Sequence, residues 1–452
     1  MQPADLVLPE IREVLLESPQ ELAESLADFH PADIADIYRR LDAEESKAFV
    51  IALPIELMTN VFEELDRKDR LKIIQTLPSG RAAKLIEWMS SDDRTDFLQE
   101  LSSETREALL ATIDRNIVRE VRALLNYAPD TAGGLMTTEF LKVPETYTVD
   151  QTLSLVRRLA GEQEMIYTLF VVDSDSGRLK GVMSLRDVLM AQGSLVCEEI
   201  MTSQIITVRY DAPQREVADV ISKYDLLSLP VVDNYGRLLG IVTIDDVLDV
   251  EKEARADDIQ RLGGVQPIAQ SYFDTPFFSL VRSRASWLVL LFVGELFTTN
   301  ALEHFQVALQ GAIALTFFVP LIVSSGGNSG SQSATLVIRS MTMNELTPKL
   351  AYRMLGREAA TGLALGGILG TIGFFRTILM GQGSVLLALT IGLTLVLVVM
   401  LGATIGAALP MLLRRAGFDP AVSSTPFIAS LVDVVGIFTY FSLAKAILSL
   451  PG

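Results

Sequence analysis

The spacing of apolar positions changes along the chain, and each change marks a different kind of segment. Over residues 1–128 the apolar positions recur in short stretches at three- and four-residue intervals, which predicts short amphipathic helices. Ile34, Ile37 and Tyr38 share one face, as do Leu71, Ile74 and Leu77, then Ala83, Leu85 and Ile86. His30-Pro31, Leu53-Pro54 and Leu77-Pro78-Ser79-Gly80 punctuate them. Acid-rich stretches such as Asp42-Ala43-Glu44-Glu45 and Ser91-Asp92-Asp93 suit helix N-termini, where the dipole favours negative charge. Together these features predict a small all-α superhelical domain, with His30 as a turn residue.

Residues 129–250 contain an internal repeat, in copies 129–193 and 194–250. Val171-Val172-Asp173 and then Gly177 to Leu189 recur as Val231-Val232-Asp233 and then Gly236 to Leu248. Each copy opens with Met-Thr, at Met136-Thr137 and Met201-Thr202, and reads as strand, helix, strand, turn, strand, helix. The repeat resembles a pair of α/β CBS domains. That resemblance implies a self-associating sensory module and, in some members, adenine nucleotide binding, here ATP. Ser184 with Asp187 and Thr243 with Asp246 match the hydroxyl-plus-carboxylate positions that hold ribose and phosphate in nucleotide-binding members. The same pairs have the Ser/Thr-x-x-Asp form that opens a helix, so capping is an equal alternative.

A charged helix followed by a loop is predicted from Asp246 to about Gly264, within a connecting-helix region assigned to 251–276. Its acids Asp246, Asp249, Glu253 and Asp257 lie on one face, where like charges repel by a few tenths of a kcal/mol per pair. A solvated linker is one reading and a cation-binding face is the other.

Residues 277–452 then form an all-α membrane domain of five apolar stretches, about 285–302, 307–338, 355–379, 385–412 and 424–449. Arg282 and Arg284 precede the first; Arg339, Lys349, Arg353 and Arg357 separate the second from the third; Arg414 and Arg415 separate the fourth from the fifth. The remaining loops carry only Arg376, so the N-terminus is expected in the cytoplasm and the C-terminus outside a multi-pass inner (plasma) membrane. The N-terminus lacks the basic start and apolar run of a signal peptide. Gly362, Gly366 and Gly370, and separately Gly402 and Gly406, are spaced four apart for close helix packing.

Charge sharpens this division. The net charge of −18 is the sum of −22 before residue 276 and +4 after it. An acidic soluble part argues against nucleic acid and fits divalent cations. The single Cys197 allows no internal disulfide. Within the last apolar stretch Asp433 lies roughly 10–14 Å into the helix, near mid-membrane. An ionised Asp at that depth costs at least about 2.5–3.5 kcal/mol, so it needs a partner, water or a cation. In the second stretch Pro320 and the polar run Ser324 to Thr335 predict an interrupted helix whose irregular backbone faces protein or a water-filled path. Oxygen acceptors with one carboxylate suit a hydrated Mg²⁺ ion.

The run SSGGNSGSQSATLVIR after Pro320, the terminal DPAVSSTPFIASLVDVVGIFTYF and the AGGLMT of Ala132 to Thr137 resemble the MgtE family of magnesium channels. The resemblance spans essentially the whole chain. It implies a homodimer in the lipid bilayer with the pore on its two-fold axis, Asp433 holding hydrated Mg²⁺, and Asn328 and nearby backbone lining the path. It also implies closure by cytosolic Mg²⁺ bound among Asp92, Asp96, Asp225, Asp246, Asp249, Asp257 and Asp258. The chain departs from some relatives at Pro213 and Arg215, where they carry acids. A secondary transporter coupling a divalent cation to H⁺ or Na⁺ is the competing reading, and a membrane-anchored nucleotide sensor ranks below both. No catalytic triad, Gly-Lys-Ser/Thr loop or His-Glu-x-x-His motif supports an enzyme.

Overall fold

A computed structural model describes residues 3–161, 165–268, 272–273, 275–307, 312–342, 348–379, 384–419 and 425–450. Pro420 to Ser424, which open the terminal motif, lie outside the described residues. The chain divides into two compact units, Met1–Glu251 and Lys252–Gly452.

In the first unit, short helices run from Pro3–Glu17 to Arg115–Leu124. Their starts are set by side chains. Asp42 and Glu45 form a reciprocal capping box, and the carboxylates of Asp66 and Asp114 accept from Asp69 N and Asn116 N. His30 caps the helix Pro31–Tyr38, its Nδ1 accepting from Ala32 N at 3.2 Å. The predicted faces at Ile34, Ile37 and Tyr38 and at Ala83, Leu85 and Ile86 are buried. In the helix Arg67–Thr76 the face is rotated: Ile73 and the following Leu77 are buried, whereas Leu71 and Ile74 only border the core. Phe62 and Phe97 meet edge-on at its centre, 5.1 Å between centroids.

The repeat folds as two three-stranded sheets. In the first, β1 (Phe140–Pro144), β2 (Met165–Val172) and β3 (Leu179–Ser184) lie in that order. In the second, β4 (Val208–Arg209), β5 (Ser228–Val232) and β6 (Leu238–Thr243) repeat it. The first pairing of each is parallel and the second antiparallel. The turns exchange backbone bonds, Leu179 N to Gly236 O at 3.0 Å and Leu238 N to Gly177 O at 3.3 Å. The opening methionines are exchanged too. Met201 covers Gly181, Met136 covers Gly240, and a side chain at either glycine would overlap that methionine. Phe140 and Phe170 of one copy share a core with Leu238 and Ile241 of the other. Each copy therefore completes the other. The connecting helix is Ile244–Leu262 and starts directly after β6.

In the second unit five helices are long and apolar enough to cross a membrane: Phe277–His304, Ile313–Thr342, Lys349–Leu379, Val385–Arg415 and Thr425–Leu448. The fourth is the core of the unit, while the first buries only Ser283 and Ala301. The predicted glycine spacing is used as packing: Gly362, Gly366 and Gly370 of the third span lie against Met400, Val396 and Gly392 of the fourth.

The interrupted second span is corrected by the structure. A short 3₁₀ turn, Ile313–Phe318, leads into an unbroken helix, Val319–Thr342, that contains the whole polar run. Pro320 sits in its first turn, where a missing N–H costs nothing. Intrahelical bonding satisfies the backbone of a helix in lipid, so the run contributes side chains and close approach rather than open backbone carbonyls.

Candidate ion path and acidic regulatory face

Small residues let the second span press against two neighbours. Side chains at Gly402 and Gly406 of the fourth span would overlap the carbonyls of Gly326 and Gly330. On its other side, Gly327 packs on Ala429 and Asp433 of the fifth span; a Cβ there would lie 3.3 Å from Asp433 Oδ1. Asp433 is thus half-buried beside the glycine-serine helix, as its mid-span position required.

The hydroxyls of the run divide by face. Ser329 donates to Val399 O at 3.0 Å, Ser331 to Thr425 O at 3.3 Å and Ser333 to Glu358 Oε2 at 2.6 Å, which ties the helix to the fourth, fifth and third spans. Ser324, Asn328, Gln332 and Thr335 remain exposed on a stripe of three- and four-residue spacing. Asn328 Nδ2 donates to Ser324 Oγ at 3.3 Å within that stripe. A polar stripe on a membrane-spanning helix calls for water or another polar surface.

A second carboxylate, not singled out from the sequence, lies next to this set. Glu295 of the first span accepts from Ser430 Oγ at 3.1 Å, one turn before Asp433. An acid inside an apolar span was the same signal that exposed Asp433.

The acids expected to regulate are partly gathered. Asp92 is only 7% exposed, and its Oδ1 has no hydrogen-bond partner among the described residues. Burial, reinforced by Asp93, raises its carboxyl to about 6. Asp96 is raised to about 7 by burial and then by Asp92 and Asp93. Glu63, absent from the sequence-based set, reaches about 7 through burial and the charge of Asp93. Burial raises Asp93 as well; Arg70 opposes the rise, and the charges of Asp245 and Asp249 on the connecting helix add to it. No sequence spacing links Glu63 to Asp92; only the superhelix brings them together.

The other members of the expected set lie on other elements. Asp225 is exposed and ends the helix Gln214–Tyr224 in a left-handed conformation, φ 50°. Asp257 and Asp258 are half-buried in the second unit. Among the described residues no three His, Cys, Asp or Glu side chains already converge as a metal site. Pro213 is the N-cap of the Gln214–Tyr224 helix and provides no side-chain cap.

The first hydroxyl-carboxylate pair of the repeat forms a capping box, and the two side chains of the second pair bond to each other. Asp187 N donates to Ser184 Oγ at 3.1 Å and Ser184 N to Asp187 Oδ2 at 3.2 Å. Thr243 Oγ1 donates to Asp246 Oδ2 at 2.7 Å. Thr243 is buried, whereas Asp187 is exposed.

One basic residue joins the helical domain to the repeat. Arg94 is 3% exposed; it donates to Ile86 O at 2.9 Å and to Met89 O, and lies 3.5 Å from Glu120 and 3.6 Å from Glu139. Beside it Thr138 N donates to Ser91 Oγ at 2.8 Å, and the hydroxyls of Ser91 and Thr137 are 3.1 Å apart.

Comparison with known proteins agrees with this layout. The family profile described as "MgtE: Divalent cation transporter" matches residues 319–443, "MgtE intracellular N domain" matches 29–130, and "CBS domain" matches 132–194 and 197–253. The protein named magnesium transporter MgtE of Thermus thermophilus is 38% identical over 446 residues, covering 97% of this chain and 98% of that one. The chain belongs to the MgtE family. Bacillus subtilis MgtE is 29% identical, over 93% of this chain and 92% of its own. The solved cytosolic domain of "the Mg2+ channel MgtE in complex with ATP" is 39% identical, with TM-score 0.52 over 54% of this chain and 99% of that one. The "soluble part of a magnesium transporter" is 27% identical, with TM-score 0.53 over 56% and 100%. The MgtE architecture of all-α domain, CBS pair and five apolar helices is the one expected from the sequence.

Proposed function

We propose that this MgtE-family protein is a Mg²⁺-selective channel for magnesium uptake, which cytosolic Mg²⁺ closes. One observation carries the reading: Asp433 lies against Gly327, beside the exposed stripe of Ser324, Asn328, Gln332 and Thr335. A second copy of the chain presenting the same stripe about a two-fold axis gives both polar faces a common water-filled path. One carboxylate per copy, with amides and hydroxyls, holds Mg²⁺ through its remaining waters. The relatives named as magnesium transporters, one described as a channel, support the same cargo. The basic flanks of the spans support an N-terminus in the cytoplasm and a C-terminus outside the plasma membrane.

Regulation follows from the acidic face. Glu63, Asp92, Asp93 and Asp96 repel one another and the start of the connecting helix, so a divalent cation stabilises the arrangement in which they are close. Asp225, Asp246, Asp249, Asp257 and Asp258 complete the set as cations draw them in. Within the second unit, the far end of the connecting helix pairs through Arg261 with Asp419 at 2.7 Å, just before the fifth span. Trp287 of the first span also meets Phe427 of the fifth, centroids 6.3 Å apart. Movement of the connecting helix therefore reaches the helix that carries Asp433. ATP at the CBS pair is a second input, supported by the ATP complex of the 39% identical cytosolic domain; Ser184 with Asp187 is the more exposed of the two candidate pairs.

The test is Mg²⁺ uptake and current through the reconstituted full chain with internal Mg²⁺ varied. Passive current that falls as internal Mg²⁺ rises supports the channel. Flux that runs only with a proton or Na⁺ gradient contradicts it.

A further inference from the structure

Glu295 stands on the first span among exposed apolar side chains, with Phe292, Val293, Leu296 and Phe297 around it. A carboxylate in such a segment is costly unless a partner or a cation holds it. The structure shows how it is turned toward the fifth span. Gly294, next to it, faces the same part of the fifth span: a Cβ there would lie 3.6 Å from Ser430 Cβ, in ordinary van der Waals contact. Ser430 Oγ then donates to Glu295 Oε1 at 3.1 Å. Asp433 follows Ser430 by three residues, so both project from one side of the fifth span. Gly327 packs against the same Asp433 from the second span. One turn beyond Glu295, Thr298 carries a buried hydroxyl with no hydrogen-bond partner among the described residues.

We propose that Glu295 is a second ion-handling residue of the transport path, a carboxylate held by Ser430 that raises the affinity of the Asp433 site for a hydrated divalent cation. This rests on Asp433 lying on the ion path. The two Asp433 carboxylates of a dimer balance the charge of a divalent ion; a further carboxylate nearby deepens the negative potential at the site without touching the ion, because its effect acts through the waters. Even at the dielectric of water, a unit charge about 8 Å from a divalent ion changes its affinity roughly fivefold. Glu295 also sits on the least buried span, so whatever moves that helix alters the affinity of the path.

The experiment measures Mg²⁺ flux against external Mg²⁺ for the full chain in liposomes, as wild type, E295Q, E295D, S430A and D433N, with thermal unfolding of each. Glutamine keeps the shape and can still accept from Ser430. The half-saturating Mg²⁺ concentration should rise at least about fivefold in E295Q, since both copies lose a charge, with maximal flux within about twofold of wild type, and E295D should restore most of the affinity. S430A keeps both carboxylates but frees Glu295, so its half-saturation should rise by a smaller factor, about twofold. An unchanged half-saturation in E295Q, with or without a fall in melting temperature, overturns the inference and leaves Glu295 as a packing residue. Should E295Q fail to reconstitute, S430A decides, and an unchanged half-saturation there overturns it. Near-normal flux in D433N would instead remove the path itself, a failure of the proposed function distinct from that of Glu295.

Discussion

The carbonyl of Gly330 occupies the place where a side chain on Gly406 would have to stand. That approach, repeated at Gly326 and Gly402, fixes how the polar helix sits on the fourth span and hence where Gly327 meets Asp433. Gly406→Val should force the helices apart at a cost of about 1–3 kcal/mol. It should lower the melting temperature of the detergent-solubilised protein and reduce Mg²⁺ flux. Gly356→Ala, where a methyl meets nothing within 4 Å, should leave both unchanged or raise stability. Equal behaviour of the two variants would show that the close approach is unimportant.

Glu139 gives a pH-dependent prediction with a defined sign. Its carboxyl is raised from 4.5 to about 7, first by burial, with Arg94 opposing the rise. Between those values the folded protein holds a proton that the unfolded chain has released, so stability falls as pH rises through that window. Glu139→Gln removes this contribution. Melting temperatures at pH 5 and pH 7.5, taken without divalent cations, should differ less in the variant than in the wild type. Identical differences would mean that Glu139 is charged in the folded state throughout.

Much of this was legible before any coordinates. The repeat predicted both three-stranded sheets, and the apolar stretches predicted the five spans. A lone acid in the last stretch singled out Asp433. The polar run misled for a physical reason: glycine and serine lower helix propensity, yet in lipid an unbroken helix is the arrangement that satisfies their backbone. Glu63 and Arg94 were invisible because their roles come from superhelical packing, with partners tens of residues away. Glu295 was visible by the rule that exposed Asp433, but its Ser430 partner lies on another span. The Ser184 and Thr243 pairs matched two patterns at once; the hydrogen bonds of Ser184 with Asp187 satisfy the capping one, while Thr243 bonds the Asp246 carboxylate.

The connecting helix tests regulation. Neutralising Asp246, Asp249, Asp257 and Asp258 together to Asn relieves repulsion and also removes ligands. Loss of ligands should dominate, because a bound divalent attracts each carboxylate more strongly than a screened neighbour repels it. Moving from mostly open to mostly closed takes about 5.5 kcal/mol, which several weak sites can supply jointly. Mg²⁺ should protect the soluble part of the wild type from protease and fail to protect the variant. Equal protection would make these carboxylates a solvated face.

The central claim is that ions pass Asp433, and flux through Asp433 variants tests it most directly. Mg²⁺ uptake into liposomes should be lost in Asp433→Ala. It should also be lost in Asp433→Asn, which keeps the shape and removes the charge, while both variants elute and melt like the wild type. Near-normal Mg²⁺ flux in both would contradict the account.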